Sequence, residues 1–181
     1  MCTITPTDPM DPIDNARLFL ALWPEPGLQA ALLAYRDGWR WNTQASLVRP
    51  EKLHLTLHFI GDVPRHRLEL LTKGLAVPFR PFELIFGRPA LWRHGIAVLQ
   101  PETIPAGLLQ LHDMLGQALQ RLELPREKLE DFRPHITLAR RALGAAPPAE
   151  APMLHWPVLG YALVESIQKP ASQYCLVRRY S

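Results

Sequence analysis

Apolar and polar positions alternate strictly from Leu53 through His54, Leu55, Thr56, Leu57 and His58 to Phe59. This is the pattern of a strand with one buried face, in which side chains two apart share a side. The alternation returns around His135, Ile136, Thr137 and Leu138, and the patterning predicts strands over 53–60 and 132–139. A buried strand is predicted over 17–23, stopped by Pro24 and Pro26, followed by a helix over 28–39 with Leu28, Leu32, Leu33 and Tyr35 at helical spacing. Residues 40–48 are expected to be extended, with a turn at 49–52. Gly61 and Asp62 are expected to end the first motif strand, and Pro64 to begin a helix reaching Ala76. Strands over 81–86 and 95–100 are joined by a turn containing Gly87 and Pro89, and a second amphipathic helix spans 105–122. Residues 142–152 read as a flexible loop, and 158–167 and 174–179 as a closing pair of strands.

Strand, helix, motif strand and helix are followed by strands, helix, motif strand and strands again. The two His-x-Thr segments stand 135 − 54 = 81 residues apart, about half the chain of 181. This order suggests two lobes related by an approximate two-fold axis, with a site in the groove between them. Residues 1–15, rich in Pro and Asp, read as a disordered tail, and 16–181 as a single two-lobed domain.

Hydrophobic content of 48% with 20% charged residues is that of an ordinary globular chain. No apolar run approaches the roughly 20 residues of a membrane span. The first positive charge is Arg17, after Asp8, Asp11 and Asp14, so no signal peptide is read and a cytoplasmic location is expected. Cys2 and Cys175 are the only cysteines, too few for a cysteine zinc site, and no structural disulfide is expected. The net charge of +3 comes with 16 Arg and 4 Lys. Arg suits an anionic ligand, although a coding bias toward Arg, Leu, Ala and Pro accounts for that composition equally well.

With seven His among 181 residues, about 0.3 His-x-Thr pairs arise by chance, and the aliphatic neighbours lower this several-fold. Two matched copies therefore carry information. His54 and Thr56 lie about 6.6 Å apart on one strand face, as do His135 and Thr137. His54 and His58 are four apart, but the strand pattern and the Leu55 that follows His54 exclude the helical zinc motif. Two core histidines satisfied by backbone would be the structural alternative, but burying both polar pairs costs stability with no compensating gain. Displacement at phosphorus needs a base for the attacking oxygen and an acid for the leaving oxygen. Histidine serves both near neutrality, and Thr hydroxyls donate to the non-bridging oxygens. The symmetry of the motifs does not tell acid from base.

These residues resemble the 2H phosphoesterases, and within them the RNA 2′,3′-cyclic phosphodiesterase (2′-5′ RNA ligase) family. The resemblance rests on RLFLALWPEP near the start, PEKLHLTLHFIGDV around the first motif and FRPHITLAR around the second. It implies an α+β bilobal fold, with two pseudo-symmetric lobes of antiparallel sheet, helices packed outside and the active-site groove between. It also implies His54 as proton donor, His135 as proton acceptor, and Thr56, Thr137 and Arg140 as phosphate-binding residues. The substrates implied are RNA ends or small nucleotides bearing a 2′,3′-cyclic phosphate, opened to a 2′-phosphomonoester, with 2′-5′ ligation as the reverse reaction. Neither a cofactor nor a metal nor a membrane is expected, and the chain reads as a monomer. A related enzyme acting on another cyclic or oligonucleotide phosphodiester, or a phosphate-binding module without turnover, are the competing readings. His58 shares the strand face of His54 by parity and either lines the groove or is incidental, the second being preferred. Arg140, five residues after His135, has the wrong parity and reaches the site only if the strand twists, bulges or ends. Among aromatic residues that could stack on a base, Trp92, in an expected loop beside Arg93 and His94, is preferred over Phe19, Trp23 and Tyr35.

Overall fold

Alternation along each strand decides which side chains meet the helices and which meet the groove. The computed structural model describes residues 14–168 and 172–181. Along them run β1 (Asn15–Leu22), α1 (Pro26–Asp37), β2 (Ser46–Leu47), β3 (Leu55–Pro64), α2 (Leu68–Gly74), β4 (Phe82–Trp92) and β5 (Ile96–Pro101). They are followed by α3 (Ala106–Arg121), β6 (Ile136–Arg140), β7 (Leu154–Val158), β8 (Tyr161–Ile167) and β9 (Gln173–Tyr180). The sheet is antiparallel at every pairing among these residues, in the order β7-β4-β5-β6-β3-β1-β8-β9.

Reading outward from the middle, β3-β1-β8-β9 mirrors β6-β5-β4-β7, so each motif strand heads one four-stranded lobe. The lobes meet at a single register pair, Leu55 with Ile136. Where β3 then leaves β6, the short β2 takes its place, pairing Ser46 with Arg140 and Leu47 with Ala139. The groove opens where the motif strands part.

One face of the sheet buries Leu18, Leu20, Leu55, Leu57, Ile136 and Leu138 against a core that includes Leu32 of α1, Leu71 of α2 and Leu108, Leu111, Leu115 and Leu119 of α3. Each such side chain contributes about 1.5–3 kcal/mol on leaving water. On the opposite face Phe19, Ala21, Ala162 and Val164 form a smaller cluster covered by Trp23 and Tyr174. β1 is thus buried on both sides, which explains its nearly unbroken apolar run. At the far end of β3, the Arg65 guanidinium donates to Glu165 (2.6 Å) and to Asp14 (2.9 Å). Asp14 and Asn15, read as part of the tail, therefore belong to the fold, while the rest of that tail, Cys2 included, lies outside the described residues.

Several sequence boundaries move, each for a physical reason. Gly61 does not end the first motif strand. Its φ of +89° accommodates a bulge at Ile60, after which β3 continues to Pro64 in register with Asn15. The following helix therefore starts at Arg65, as a 3-10 turn, and ends at Gly74. Gly87 and Pro89 do not turn the chain either: Gly87 is the extra residue of a bulge, and a Cβ there would run into the Glu102 carboxylate. Pro89 lies beyond the part of β4 that β7 covers, where an edge tolerates its missing N–H. The turn falls at Arg93–Gly95 instead. Residues 158–167 are two strands, broken at Leu159-Gly160, and β7 escaped the pattern because Pro157 interrupts it on an edge strand. Of the extended stretch 40–48, only Ser46 and Leu47 are strand. The loop 142–152 is tied down, with Ala142 and Ala145 buried and Ala146 paired to Arg40. Among the described residues, no helix is long and apolar enough to cross a membrane.

Candidate active site

The two motifs are superimposable in burial as well as in sequence. From Leu53 to Phe59 and from Pro134 to Arg140 the residues run buried, half-buried, buried, half-buried, buried, buried, exposed. The cause is a bulge at the same place in each. Leu20 pairs with His58 and Ala21 with Thr56, leaving Leu57 as the extra residue. Ala97 pairs with Ala139 and Val98 with Thr137, leaving Leu138 as the extra residue. A bulge reverses parity beyond it. It sends Arg140 into the groove, resolving the parity objection, and turns His58 away from it.

His58 is therefore not a groove residue. It is fully buried against α3, with Nε2 donating to the His112 carbonyl at 2.8 Å and its ring stacked 4.0 Å from that of His112. Burial lowers the pKa of both rings, that of His112 to about 4. The parity argument for His58 failed because strict alternation in sequence conceals a bulge.

His54, Thr56, His135, Thr137 and Arg140 line one groove of about 710 Å³. Leu55 and Ile136, directly opposite each other, point to the core. Counting outward from that pair in antiparallel register sets His54 across from Thr137 and Thr56 across from His135. The imidazoles are held alike. Nδ1 of His54 donates to the Lys52 carbonyl at 2.7 Å and Nδ1 of His135 to the Arg133 carbonyl at 2.6 Å. This bond fixes the tautomer and leaves Nε2 of each neutral ring as the reactive nitrogen. Nε2 of His54 lies 3.1 Å from the Thr56 hydroxyl.

The surroundings of the two rings differ. Phe19, Trp23 and Tyr174 enclose His54, with ring centroids 5.0, 5.6 and 5.4 Å away and Trp23 parallel to it. Among the described residues His135 has one ring neighbour, Trp92, at 4.4 Å. Burial pushes the pKa of His54 down to about 4, opposed by its bond to Lys52 and reinforced by the charges of His135 and Arg140. His135 is lowered too, by burial first and then by Arg140, against its bond to Arg133. Both settings thus favour the neutral ring in the free protein.

Trp92 sits at the end of β4 rather than in a loop and packs on His135. Tyr35 packs on Trp39 and is not among the groove residues. Sequence reasoning missed Arg17, Arg49, Lys52, Phe59 and Tyr174, all of which line the groove. Phe59 had a signal, since it stands five residues after His54 as Arg140 does after His135. The groove lining carries Arg17, Arg49, Lys52 and Arg140 and, among the described residues, no carboxylate. Two imidazoles, two hydroxyls and a guanidinium make a poor donor set for a cation and a good one for a phosphoryl group.

A sheet of two like lobes with a His-x-Thr strand from each at the centre is the architecture of the 2H phosphoesterase class. The family model of the 2′-5′ RNA ligase superfamily matches residues 24–168. A Thermus thermophilus protein named RNA 2′,3′-cyclic phosphodiesterase is 34% identical over 190 aligned positions, covering 91% of this chain and 89% of its own. Among solved structures, E. coli LigT in complex with NADP⁺ has a TM-score of 0.78 at 26% identity, over 92% of this chain and 97% of LigT. A Thermus thermophilus crystal structure has a TM-score of 0.72 at 30% identity, over 91% and 97% of the two chains. The chain belongs to the 2′-5′ RNA ligase superfamily.

Proposed function

We propose that the protein opens RNA 2′,3′-cyclic phosphate ends to 2′-phosphomonoesters by acid–base catalysis between His54 and His135. The observation that carries this reading is the matched pair of imidazoles, each tied through Nδ1 to the carbonyl two residues back and each presenting Nε2 to one carboxylate-free groove. Named relatives agree in substrate: the Thermus thermophilus protein and two archaeal ones carry the name RNA 2′,3′-cyclic phosphodiesterase.

In this scheme Nε2 of His135 takes a proton from water as its oxygen attacks phosphorus. The bond from phosphorus to O3′ breaks, and Nε2–H of His54 protonates the departing O3′. Thr56, Thr137 and Arg140 hold the non-bridging oxygens, whose negative charge they balance. His54 must carry a proton, which its buried setting alone disfavours. The bound phosphodiester anion raises both imidazole pKa values, and the face of Trp23 offers further stabilisation to the imidazolium. With an RNA 5′-hydroxyl in place of water, the same steps join ends through a 2′-5′ bond: O5′ attacks phosphorus and gives its proton to His135, while O3′ leaves with the proton from His54. The protein would act on RNA ends without a membrane, as a cytoplasmic monomer.

The test is hydrolysis of an RNA ending in 2′,3′-cyclic phosphate, in the presence of a chelator, with the terminal phosphate assigned by ³¹P NMR. A 2′-phosphate formed in chelator supports the reading. A 3′-phosphate refutes the regiochemistry, activity only with added metal refutes the two-histidine mechanism, and binding without turnover leaves a phosphate-binding module.

A further inference from the structure

Each motif imidazole hangs by Nδ1 on the carbonyl two residues before it, but the two carbonyls are not held alike. The one that takes His135 belongs to Arg133, whose exposed side chain has no hydrogen-bond or ion-pair partner among the described residues. The one that takes His54 belongs to Lys52, whose half-buried side chain is engaged twice. Lys52 Nζ donates to the Ser172 hydroxyl at 2.6 Å and stands 4.8 Å from the centroid of the Tyr174 ring. Tyr174 in turn lies nearly perpendicular to the His54 ring, 5.4 Å away. Lys52 therefore joins two of the groups that hold His54, the carbonyl at Nδ1 and the ring beside it. No sheet ladder fixes that carbonyl: β3 begins at Leu55, and Lys52 closes a 3-10 turn, Pro50–Lys52. The turn is also tied by Gln29, which donates to the Pro50 carbonyl at 2.7 Å, and by Arg49, which donates to the Ser172 carbonyl. Drawing an ammonium partly out of water costs free energy, a cost that a freely solvated lysine would avoid. The charges that weigh on His54 are those of His135 and Arg140, so Lys52 reaches it through contacts rather than through its field.

We propose that Lys52 is a positioning residue for His54. Its ammonium pins the 3-10 turn to β9 through Ser172 and holds the Tyr174 ring by cation–π attraction. Carbonyl and ring together then keep the imidazole in one orientation, with a proton on Nδ1 and Nε2 toward the groove. The chemistry explains why one histidine needs the firmer mount. The departing O3′ is fixed to phosphorus and cannot come to the acid, and a misplacement of about 1 Å costs up to about 100-fold in rate. Water, by contrast, moves to meet the base. This assignment rests on the cyclic-phosphate reading above and concerns the proton donor of that reading.

The test is Lys52→Met, which keeps an unbranched side chain and removes the ammonium. It is read by kinetics on adenosine 2′,3′-cyclic phosphate and by long-range ¹H–¹⁵N NMR of the imidazoles. The variant is expected to lose kcat by about 10- to 100-fold, with KM changed little. In the parent protein the neutral His54 ring carries its proton on Nδ1. In Lys52→Met that proton divides between Nδ1 and Nε2, while His135, hung on Arg133, keeps its spectrum. Lys52→Arg, which can still donate to Ser172 and cover Tyr174, restores both readouts, and Ser172→Ala loses part of each. A raised KM with kcat and the His54 tautomer kept would make Lys52 a ligand of the substrate phosphate. A fall in kcat with the tautomer unchanged would make it act on the substrate directly, and no change at all would leave it an ordinary surface lysine. Each of these three results overturns the assignment. Should Lys52→Met fail to fold by circular dichroism, Ser172→Ala carries the same test. If the parent protein left the cyclic phosphate intact, the reaction itself would fall. The tautomer of His54 would then decide alone, a divided proton in the variants upholding the positioning role and an unmoved one ending it.

Discussion

The two histidines share a tether and differ in company, and both facts have measurable consequences. His54→Ala or His135→Ala is expected to lower kcat by about 10²–10⁴-fold, the usual contribution of one general acid or base, with the fold intact by circular dichroism. Thr56→Ala and Thr137→Ala remove one hydrogen bond to the phosphoryl oxygens and are expected to cost less, in single-turnover rates on the same substrate. The depressed pKa values lead to a second expectation. The profile of kcat/KM reports the free enzyme, in which His54 titrates near 4 and His135 below its usual value. The profile of kcat reports the complex, in which the bound anion raises both. The kcat/KM optimum is therefore expected at lower pH than the kcat optimum, the limbs belonging to the coupled pair rather than to either ring. Identical optima would show that the anion does not contact the imidazoles. His54, Thr56, His135 and Thr137 were legible because they are two apart and precede the bulges. Parity put His58 on the wrong face, although its preferred reading as incidental to the groove holds, and Phe59 was passed over, because both follow the bulge.

Among the elements, the motif strands were readable from alternation, whereas their lengths and irregularities were not. Alternation records which face is buried; a bulge adds one residue without changing the polarity of its neighbours. Leu57 and Leu138, the extra residues of the two bulges, are themselves buried, so the sequence looks regular through each shift. Glycine was ambiguous for a related reason. At Gly61 and Gly87 it permits a bulge inside a strand, and at Gly95, with φ of +70°, it makes the turn. Gly61→Ala forces a Cβ into the left-handed region, with room around it, since the nearest atom is 3.8 Å away on Phe59. The cost is thus backbone strain, about 1–2 kcal/mol, read from the midpoint of urea unfolding. A neutral result would mean that the bulge relaxes.

At the scale of the whole molecule, four histidines, His54, His58, His112 and His135, are harder to protonate folded than unfolded. Below the unfolded value of about 6.5 the unfolded chain binds more protons, so stability is complete above that pH and falls as pH drops toward 4. His54 and His112, both near 4, each contribute on the order of 3 kcal/mol to this loss. His112 has no hydrogen-bond partner for either ring nitrogen among the described residues. It lies between the rings of His58 and Phe132, with the Glu127 carboxylate 3.9 Å away. His112→Phe is accordingly expected to narrow the drop in Tm between pH 7 and 4.5; an undiminished drop would assign the acid sensitivity to other groups. The two-lobed order of strands was legible from the repeated succession of elements, but the single-pair junction at Leu55 and Ile136 was not, since pairing partners leave no local mark. The contacts of Trp23, stacked on His54, and of Trp92, tilted against His135, also give each lobe its own indicator. A protonated imidazole against an indole quenches its fluorescence, so emission from Trp23 and Trp92 is a built-in optical record of charge on either side of the groove. Because Trp39, Trp41 and Trp156 emit as well, each signal is read as the difference in emission between the parent protein and its Trp92→Phe or Trp23→Phe variant.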